Sequence, residues 1–152
     1  MARVTASSEI HAANEVVWAL MCDPGRYDEW ADPTERMLDV PKEDVGVGFV
    51  YREYGGIPPF KGESEWRVTE FEPIRRQVHV GDDGTMKIDI SIDLLPTQVG
   101  TRFTLTVALR PRWFLVPVNA FLWPLFMRKR SQESVDRTVT NVKRIVESPA
   151  SA

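Results

Sequence analysis

Two glutamates on predicted strands are the residues whose type and position could do acid-base chemistry. Glu70 follows Trp66 at an even spacing in ESEWRVTEF, so strict strand alternation places both side chains on one face. By the same rule, Glu53 shares a face with Tyr51 in FVYREY. A glutamate at the mouth of a cavity stays solvated and structural, whereas a buried one has a raised pKa and can act on ligand protons. The sequence is compatible with either environment, and Glu70 and Glu53 are the candidate catalytic residues.

Other catalytic and metal-binding patterns are absent from the sequence. It contains no nucleophile elbow, no phosphate-binding glycine loop and no His-x-x-x-His or Cys-x-x-Cys pair. The two histidines, His11 and His79, and the single cysteine, Cys22, lack the spacing of a metal site, so we expect no metal and no cofactor. His79 is expected on the solvent face of its strand, because Val78 and Val80 should face inward. Both histidines are interpreted as surface residues.

A β-sheet must position these candidates, and the hydropathy pattern predicts one over the middle of the chain. In MKIDISIDL, residues 86–94, apolar and polar side chains alternate at a period of two, and TRFTLTVAL, residues 101–109, repeats the pattern. One apolar and one polar face are typical of antiparallel sheets. The Asp-Asp-Gly sequence at 82–84 is a hairpin-type turn that agrees with this arrangement. We predict about six strands in this region.

Helices are predicted on both sides of these strands. Residues 4–10 indicate a first strand, after which AANEVVWALMC carries apolar residues on a helical period and a second short helix or turn follows. Near the end of the chain, valines at 135, 139, 142 and 146 are spaced four, three and four residues apart, which indicates an amphipathic helix. A sheet with one apolar face needs a cover. The predicted class is α+β, with a six- to seven-stranded antiparallel sheet, two short helices after strand 1 and a long C-terminal helix across the sheet.

An uncharged segment of fifteen residues, WFLVPVNAFLWPLFM at 113–127, precedes the last helical pattern. As a helix it would rise about 22 Å, less than the roughly 30 Å of a bilayer's hydrocarbon core, so it is too short to span a membrane. Eleven of its residues are large and apolar, and leaving them in water would forgo about 15 to 30 kcal/mol. We predict that this segment is covered and forms the first half of the terminal helix. Pro117 should lie in a preceding loop or first turn, and the helix should break or kink near Pro124.

Length, composition and charge bound the class of protein. A chain of 152 residues with 43% hydrophobic and 27% charged residues fits one globular domain, expected at 1–147 with a disordered tail at 148–152. Its net charge of −3 lacks the basic footprint of a nucleic-acid binder. One cysteine and no apolar signal-type run near the start favour a cytoplasmic location. Basic residues at 110, 112 and 128–130 would suit peripheral contact with an anionic membrane. The oligomeric state stays open.

Four stretches of the sequence resemble a known family. They are VVWALMCDPGRYDEW near the start, EWRVTEFEP in mid-sheet, GTRFTLTV as the last strand and VTNVKRIVE in the closing helix. They are similar to the polyketide cyclase/dehydrase and lipid-transport group of the StAR-related (SRPBCC, START-like) superfamily, over residues 4–147. The resemblance implies a helix-grip fold, in which a curved sheet and the long C-terminal helix enclose a deep, largely apolar cavity. These motifs identify a scaffold more than a reaction.

The resemblance also implies which residues surround this cavity. Residues 113–127 would be the half of the helix that roofs it, and Asn119 could donate a hydrogen bond into it. Trp18 and Tyr27 are expected to pack in the core, whereas Trp30 could reach the pocket floor. Combined with strand alternation, the expected pocket residues are Trp30, Phe49, Tyr51, Trp66, Val68, Ile90, Phe103, Leu105, Asn119, Leu122 and Phe126.

Three functions are compatible with this resemblance. The leading hypothesis is that the chain binds or carries a small hydrophobic molecule such as a lipid, an isoprenoid or a polyketide, without catalysis. Aromatase/cyclases of the superfamily use a strand arginine with a tyrosine, but here the strand offers Val68 and Glu70 on the side of Trp66. A polyketide cyclase, aromatase or dehydratase is the second hypothesis. The third is a membrane-touching lipid-transfer protein, and the resemblance alone also allows a component of a toxin–antitoxin operon.

Overall fold

One antiparallel sheet organises the chain, and the computed structural model describes residues 2–58 and 60–148, except for the side chains of Asn119 and Leu122. Its strands are β1 (Ala2–Ile10), β2 (Thr34–Asp39), β3 (Val50–Ile57), β4 (Phe60–Glu72), β5 (Arg76–Asp82), β6 (Met86–Pro96) and β7 (Thr101–Pro111). The order in the sheet is β1-β7-β6-β5-β4-β3-β2, so the last strand pairs with the first. The predicted α+β class with a six- to seven-stranded curved sheet is confirmed.

The helices lie where the sequence predicts them. Among the described residues they are α1 (Asn14–Met21), α2 (Tyr27–Trp30), α3 (Val116–Leu122) and α4 (Arg128–Glu147). Two 3-10 turns (Pro24–Arg26 and Trp113–Leu115) precede α2 and α3, and a π-helical turn (Trp123–Met127) joins α3 to α4. The disordered tail predicted at 148–152 lies outside the described residues from 149 onward.

The inner face of the sheet is the one that α4 covers. Val135, Val139 and Val142 of α4 are buried in the same core as the apolar residues of β1 and β7. In β6, Ile88, Ile90 and Ile92 pair with apolar residues of β7, as the period of two predicts. Cross-strand pairing continues this face in two rows, Val68–His79–Ile90–Val107 and Tyr51–Trp66–Gly81–Ile88–Leu109.

A bulge in β4 overturns the predicted facing of Glu70. Val68 pairs with His79, so a regular register would pair Glu70 with Gln77. Glu70 instead pairs with Val78, because β4 holds one extra residue at this point. The shift turns Glu70 to the outer face, where its carboxylate accepts a hydrogen bond from Arg76 Nε at 3.0 Å. The prediction that Glu70 shares the inner face with the tryptophan of its strand is therefore wrong.

The prediction for His79 is also wrong, because β5 presents its polar residues inward. His79 is buried, and it lies in the inner row with Gln77 two residues away on the same face. The valines on either side of His79 occupy the outer face. Gly81 continues the inner face, where the Trp66 ring lies so close that an added Cβ would be 2.7 Å from its Cδ2 and Cε3 atoms. The bulky ring of β4 therefore requires a glycine on β5.

The uncharged segment at 113–127 is shaped as predicted but is not covered. Pro117 lies in the first turn of α3, and Pro124 lies within the π-helical turn, where the α-helix breaks. Most of its large apolar side chains are nevertheless exposed, with Trp113 at 84% and Phe121 at 67%. The prediction that the sheet side of the fold covers this surface is wrong. No helix among the described residues is long and apolar enough to cross a membrane.

Candidate functional site

A cavity of about 510 Å³ lies between the inner face of the sheet, α2 and α4. This volume falls within the range of about 300 to 1,000 Å³ that is typical of small-molecule pockets. Strand alternation supplies its floor and walls, and one stripe of α4 supplies its cover. The chemistry of the lining differs from one side of this cavity to the other.

One wall of the cavity is apolar. It is formed by β6 and β7, which contribute every second residue, together with Met127 and Val135. None of the lining residues of these two strands is charged, because Lys87, Asp89 and Asp93 lie on the outer face of the sheet. The lining residues of this wall are Met86, Ile88, Ile90, Ile92, Leu105, Val107, Leu109, Met127 and Val135.

The opposite side of the cavity carries Glu53 of β3. Its carboxylate accepts a hydrogen bond from Thr34 Oγ1 at 2.9 Å, and it retains some accessible surface because it faces the cavity. Burial raises the pKa of Glu53 to about 7, while the hydrogen bond from Thr34 and the nearby Trp66 indole act in the opposite direction. The Trp66 indole N–H approaches Glu53 without meeting hydrogen-bond geometry. Glu53 can therefore exchange a proton with a guest near neutral pH.

A chain of hydrogen bonds runs from the same side of the cavity into the core. Gln77 Oε1 is an acceptor, so the His79 Nε2 atom at 2.8 Å carries the proton and donates it. His79 Nδ1 is then the acceptor for the Tyr51 hydroxyl, also at 2.8 Å. Gln77 Nε2 continues the chain by donating to Cys22 Sγ at 3.3 Å. With the Gln77 amide in this orientation, every donor in the chain meets an acceptor.

Burial also fixes the charge state of this chain. Removal from solvent lowers the pKa of His79 to about 4 and raises that of Cys22 to about 11. Burial raises the pKa of Tyr51 as well. At neutral pH the histidine, the thiol and the phenol are therefore all uncharged.

Four buried polar atoms of cavity-lining residues have no hydrogen-bond partner within the described part of the protein. They are the indole nitrogens of Trp30 and Trp66 and the hydroxyl oxygens of Ser131 and Ser134. A buried polar group without a partner costs about 1 to 3 kcal/mol. These atoms belong to residues of α2, β4 and α4 that line the cavity.

The mouth of the cavity lies between the β3–β4 and β5–β6 connections and the start of α4. Its exposed lining residues are Phe60, Lys61, Glu63, Asp83 and Thr85. Arg112 N donates to Thr85 O at 3.0 Å, so β7 also ends at the mouth of the cavity. Residues 113–127 therefore begin and end at the mouth, because Met127 also lines the cavity.

The structure brings together only some of the predicted site residues. Trp30, Tyr51, Trp66, Ile90, Leu105 and the candidate Glu53 line the cavity. Phe49, Val68 and Phe103 are buried in the core without lining it, and Phe126 is an exposed residue outside it. Asn119 and Leu122 have side chains outside the described part of the chain. The candidate Glu70 lies on the outer face.

Sequence reasoning missed the polar residues of α4 and the inward polar side chain of β5. Ser131, Ser134 and Thr138 line the cavity at spacings of three and four, on the same helical stripe as Val135 and Val142. That spacing was a usable signal, because small polar residues inside an apolar stripe mark a face that is not closely packed. For His79, the signal was the alternating partner Gln77, but two valines on the other face concealed it.

Comparisons with known proteins agree with this fold. The sequence model of a family described as polyketide cyclase / dehydrase and lipid transport matches residues 1–147. The crystal structure of TTHA0849 from Thermus thermophilus has a TM-score of 0.74 at 21% identity, covering 95% of this chain and 97% of that one. The Zhui aromatase/cyclase from Streptomyces sp. R1128 has a TM-score of 0.71 at 16% identity, covering 99% of each chain. At these identities the likeness shows the fold alone. No curated protein matches the sequence.

Proposed function

This chain belongs to the polyketide cyclase / dehydrase and lipid transport family, and we propose that it binds one small molecule with an apolar body and an oxygenated end. The observation that carries this proposal is the division of the cavity. Its β6–β7 wall is apolar, whereas the side near β3 and α4 holds a carboxyl group and unpartnered donors. A guest with this polarity would satisfy both sides at once.

The apolar wall supports a hydrocarbon or aromatic body. Burying apolar surface contributes about 25 cal/mol for each Å² that leaves water, so a guest filling the β6–β7 wall would gain most of its affinity there. Trp30, Tyr51 and Trp66 add flat ring surfaces on the opposite side. A planar or isoprenoid-like body fits between these two surfaces.

The oxygenated end follows from the donors and the acceptor on the polar side. Indole N–H groups and serine hydroxyls donate to a carbonyl, carboxylate or ether oxygen. Glu53 accepts a proton or hydrogen bond from a hydroxyl when it is ionised and donates one when it is protonated. We therefore expect ketone, enol, phenol or acid guests to bind more tightly than a pure hydrocarbon of the same size.

Native mass spectrometry and calorimetry with dodecanoate, geraniol, 2-naphthol and naphthalene test this proposal. Val107→Phe places an aromatic ring on the apolar wall, where it would occupy part of the cavity. This variant should weaken binding at least tenfold. Thr106→Phe is the matched control, because it adds a similar volume one residue away, on the outer face that pairs with Thr5. Equal binding by both variants, or naphthalene binding as tightly as 2-naphthol, would contradict the proposed site.

Glu53 favours a second candidate function, proton-transfer catalysis of the cyclase or dehydrase type. A carboxyl group with a pKa of about 7 inside an apolar cavity is suited to general acid-base work at neutral pH. In a dehydration it would take a proton from the carbon next to a ketone and return one to the leaving β-hydroxyl, which departs as water. The Glu70 candidate cannot take part, because it lies on the outer face.

Turnover of a β-hydroxy ketone by the wild type and by Glu53→Gln separates binding from catalysis. The enzymatic hypothesis expects loss of dehydration of at least a hundredfold with binding retained, because glutamine keeps the shape but cannot transfer a proton. Glu70→Gln makes the same chemical change outside the cavity and should leave the rate unchanged. If the wild type binds the ketone without converting it, the binding function stands and the catalytic one fails.

A further inference from the structure

The rim of the cavity carries an apolar surface that the fold leaves uncovered. We call residues 113–126 the rim segment. Seven of its large apolar residues are at least half exposed, and Phe60 on the neighbouring hairpin is exposed to the same degree. A soluble monomer rarely exposes so large a contiguous apolar patch without a binding role. The seven are Trp113, Phe114, Val116, Val118, Phe121, Leu125 and Phe126.

The charged residues that flank the rim segment in sequence are all basic. Residues 110–130 contain five basic residues and no acidic residue, in a chain whose net charge is −3. Arg110 and Arg112 pair with Asp89 and Asp82, whereas Arg128 and Lys129 have no acidic partner among the described residues. An anionic surface would therefore meet two unneutralised cations next to the exposed apolar side chains.

The position of the rim segment links it to the cavity. Its start is tied to the β5–β6 turn by the hydrogen bond from Arg112 N to Thr85 O, at 3.0 Å. Just beyond its end, Arg130 Nη1 donates to Pro58 O at 2.6 Å, on the β3–β4 connection. A surface that contacts the rim segment would therefore lie over the mouth of the cavity.

We propose that the rim segment docks on the interface of an anionic lipid bilayer. Its apolar residues point in several directions around α3 and its flanking turns, unlike the single stripe of a helix that binds a protein groove. Tryptophan and phenylalanine next to arginine and lysine are typical of helices that lie in the interfacial layer of a membrane. The segment is too short to span, so contact is peripheral. Docking does not require the guest binding proposed above.

Vesicle flotation tests this proposal. Vesicles of phosphatidylcholine with about one third phosphatidylglycerol should bind the protein at low salt, and vesicles of phosphatidylcholine alone should bind it at least tenfold less. Trp113→Ser with Phe121→Ser should reduce partitioning at least tenfold. Arg128→Glu with Lys129→Glu should abolish the preference for anionic lipid. High salt should weaken wild-type binding.

The matched control removes exposed apolar side chains elsewhere. Leu95 and Val99 are also more than half exposed, but they lie at the β6–β7 turn, the opposite end of β6 from the mouth. Leu95→Ser with Val99→Ser should leave vesicle binding unchanged, and circular dichroism should show that every variant folds. If Leu95→Ser with Val99→Ser reduced vesicle binding as much as Trp113→Ser with Phe121→Ser, the proposal would be overturned.

Two further outcomes would also overturn it. The first is wild-type binding that does not depend on anionic lipid. The second is a dimer in light scattering that separates when Trp113 and Phe121 are replaced while vesicles bind nothing, because the rim segment would then be an interface between two copies of this chain. The guest-binding assays use no vesicles, so their failure would leave the docking result standing.

Discussion

Replacing Glu53 by glutamine should stabilise the protein at alkaline pH. The buried carboxyl group has a pKa of about 7 in the folded protein, against 4.5 for an ordinary glutamate. The folded state therefore holds a proton that the unfolded state has released between these two values. This bound proton stabilises the folded wild type. The contribution to the free energy of unfolding is complete below pH 4.5 and is lost as the pH rises through 7. A glutamine side chain does not titrate, so the variant loses nothing over the same interval.

The size of this effect follows from the two pKa values. Between the two pKa values, the free energy of unfolding falls by about 1.4 kcal/mol for each pH unit. Proton linkage therefore gives the wild type a loss of about 2.5 kcal/mol between pH 5 and pH 8. The free energy of unfolding of Glu53→Gln minus that of the wild type should rise by this amount. A constant offset from altered hydrogen bonding to Thr34 would appear at both pH values and would cancel in the comparison.

Urea unfolding of both proteins at pH 5 and pH 8, followed by tryptophan fluorescence, measures this difference. Glu70→Gln is the matched control, because Glu70 pairs with Arg76 on the outer face and its side chain is 59% exposed. An exposed ion pair contributes less than about 1 kcal/mol, so this variant should follow the wild type at both pH values. A difference for Glu53→Gln that does not change with pH would refute the burial of Glu53 in the cavity.

Three further predictions concern residues around the same cavity. His79→Gln should remove a loss of about 2.4 kcal/mol that the wild type suffers as the pH falls from 7 to 4.5, because the buried imidazole stays neutral down to about pH 4. Urea unfolding at these two pH values checks it. Gly81→Ala should destabilise the fold by about 2 kcal/mol or more, because the new Cβ would lie 2.7 Å from the Trp66 ring. A thermal melt beside Gly62→Ala, a strand glycine whose added Cβ would meet nothing within 4 Å, separates this clash from a general glycine effect. Ser131→Ala should raise the free energy of unfolding by about 1 kcal/mol, because its buried hydroxyl has no partner among the described residues, and it should weaken binding of 2-naphthol; unchanged values of both would contradict that assignment.

The fold was predictable because its signals are periodic and local. Nine residues of β6 alternate without interruption, and the valines of α4 repeat at helical spacing, so each element indicates its own buried face. An antiparallel sheet with one apolar face and a single long amphipathic helix leaves few ways to cover that face. The order of elements therefore indicates the architecture.

The site was harder to predict because one extra residue reverses every side chain that follows it. Alternation put Glu53 on the inner face correctly, since β3 pairs with β4 without a register shift there. In β4 the bulge sends Glu70 outward and turns Phe71 inward, where its ring lies 5.2 Å from that of Trp18. The bulge therefore places Phe71 instead of Glu70 on the inner face of the sheet. The gain in apolar packing explains the bulge, but this contact joins residues 53 positions apart in sequence and has no local signal.

The rim segment shows a second limit of sequence reasoning. Hydropathy predicts that fifteen uncharged residues should leave water, but the fold leaves most of their large apolar side chains exposed. The sheet and α4 already bury each other, and no described side chain of α3 belongs to the core that they form. The fold leaves this apolar surface open, and the excess of cations beside it is the feature that supports the proposed docking on an anionic bilayer.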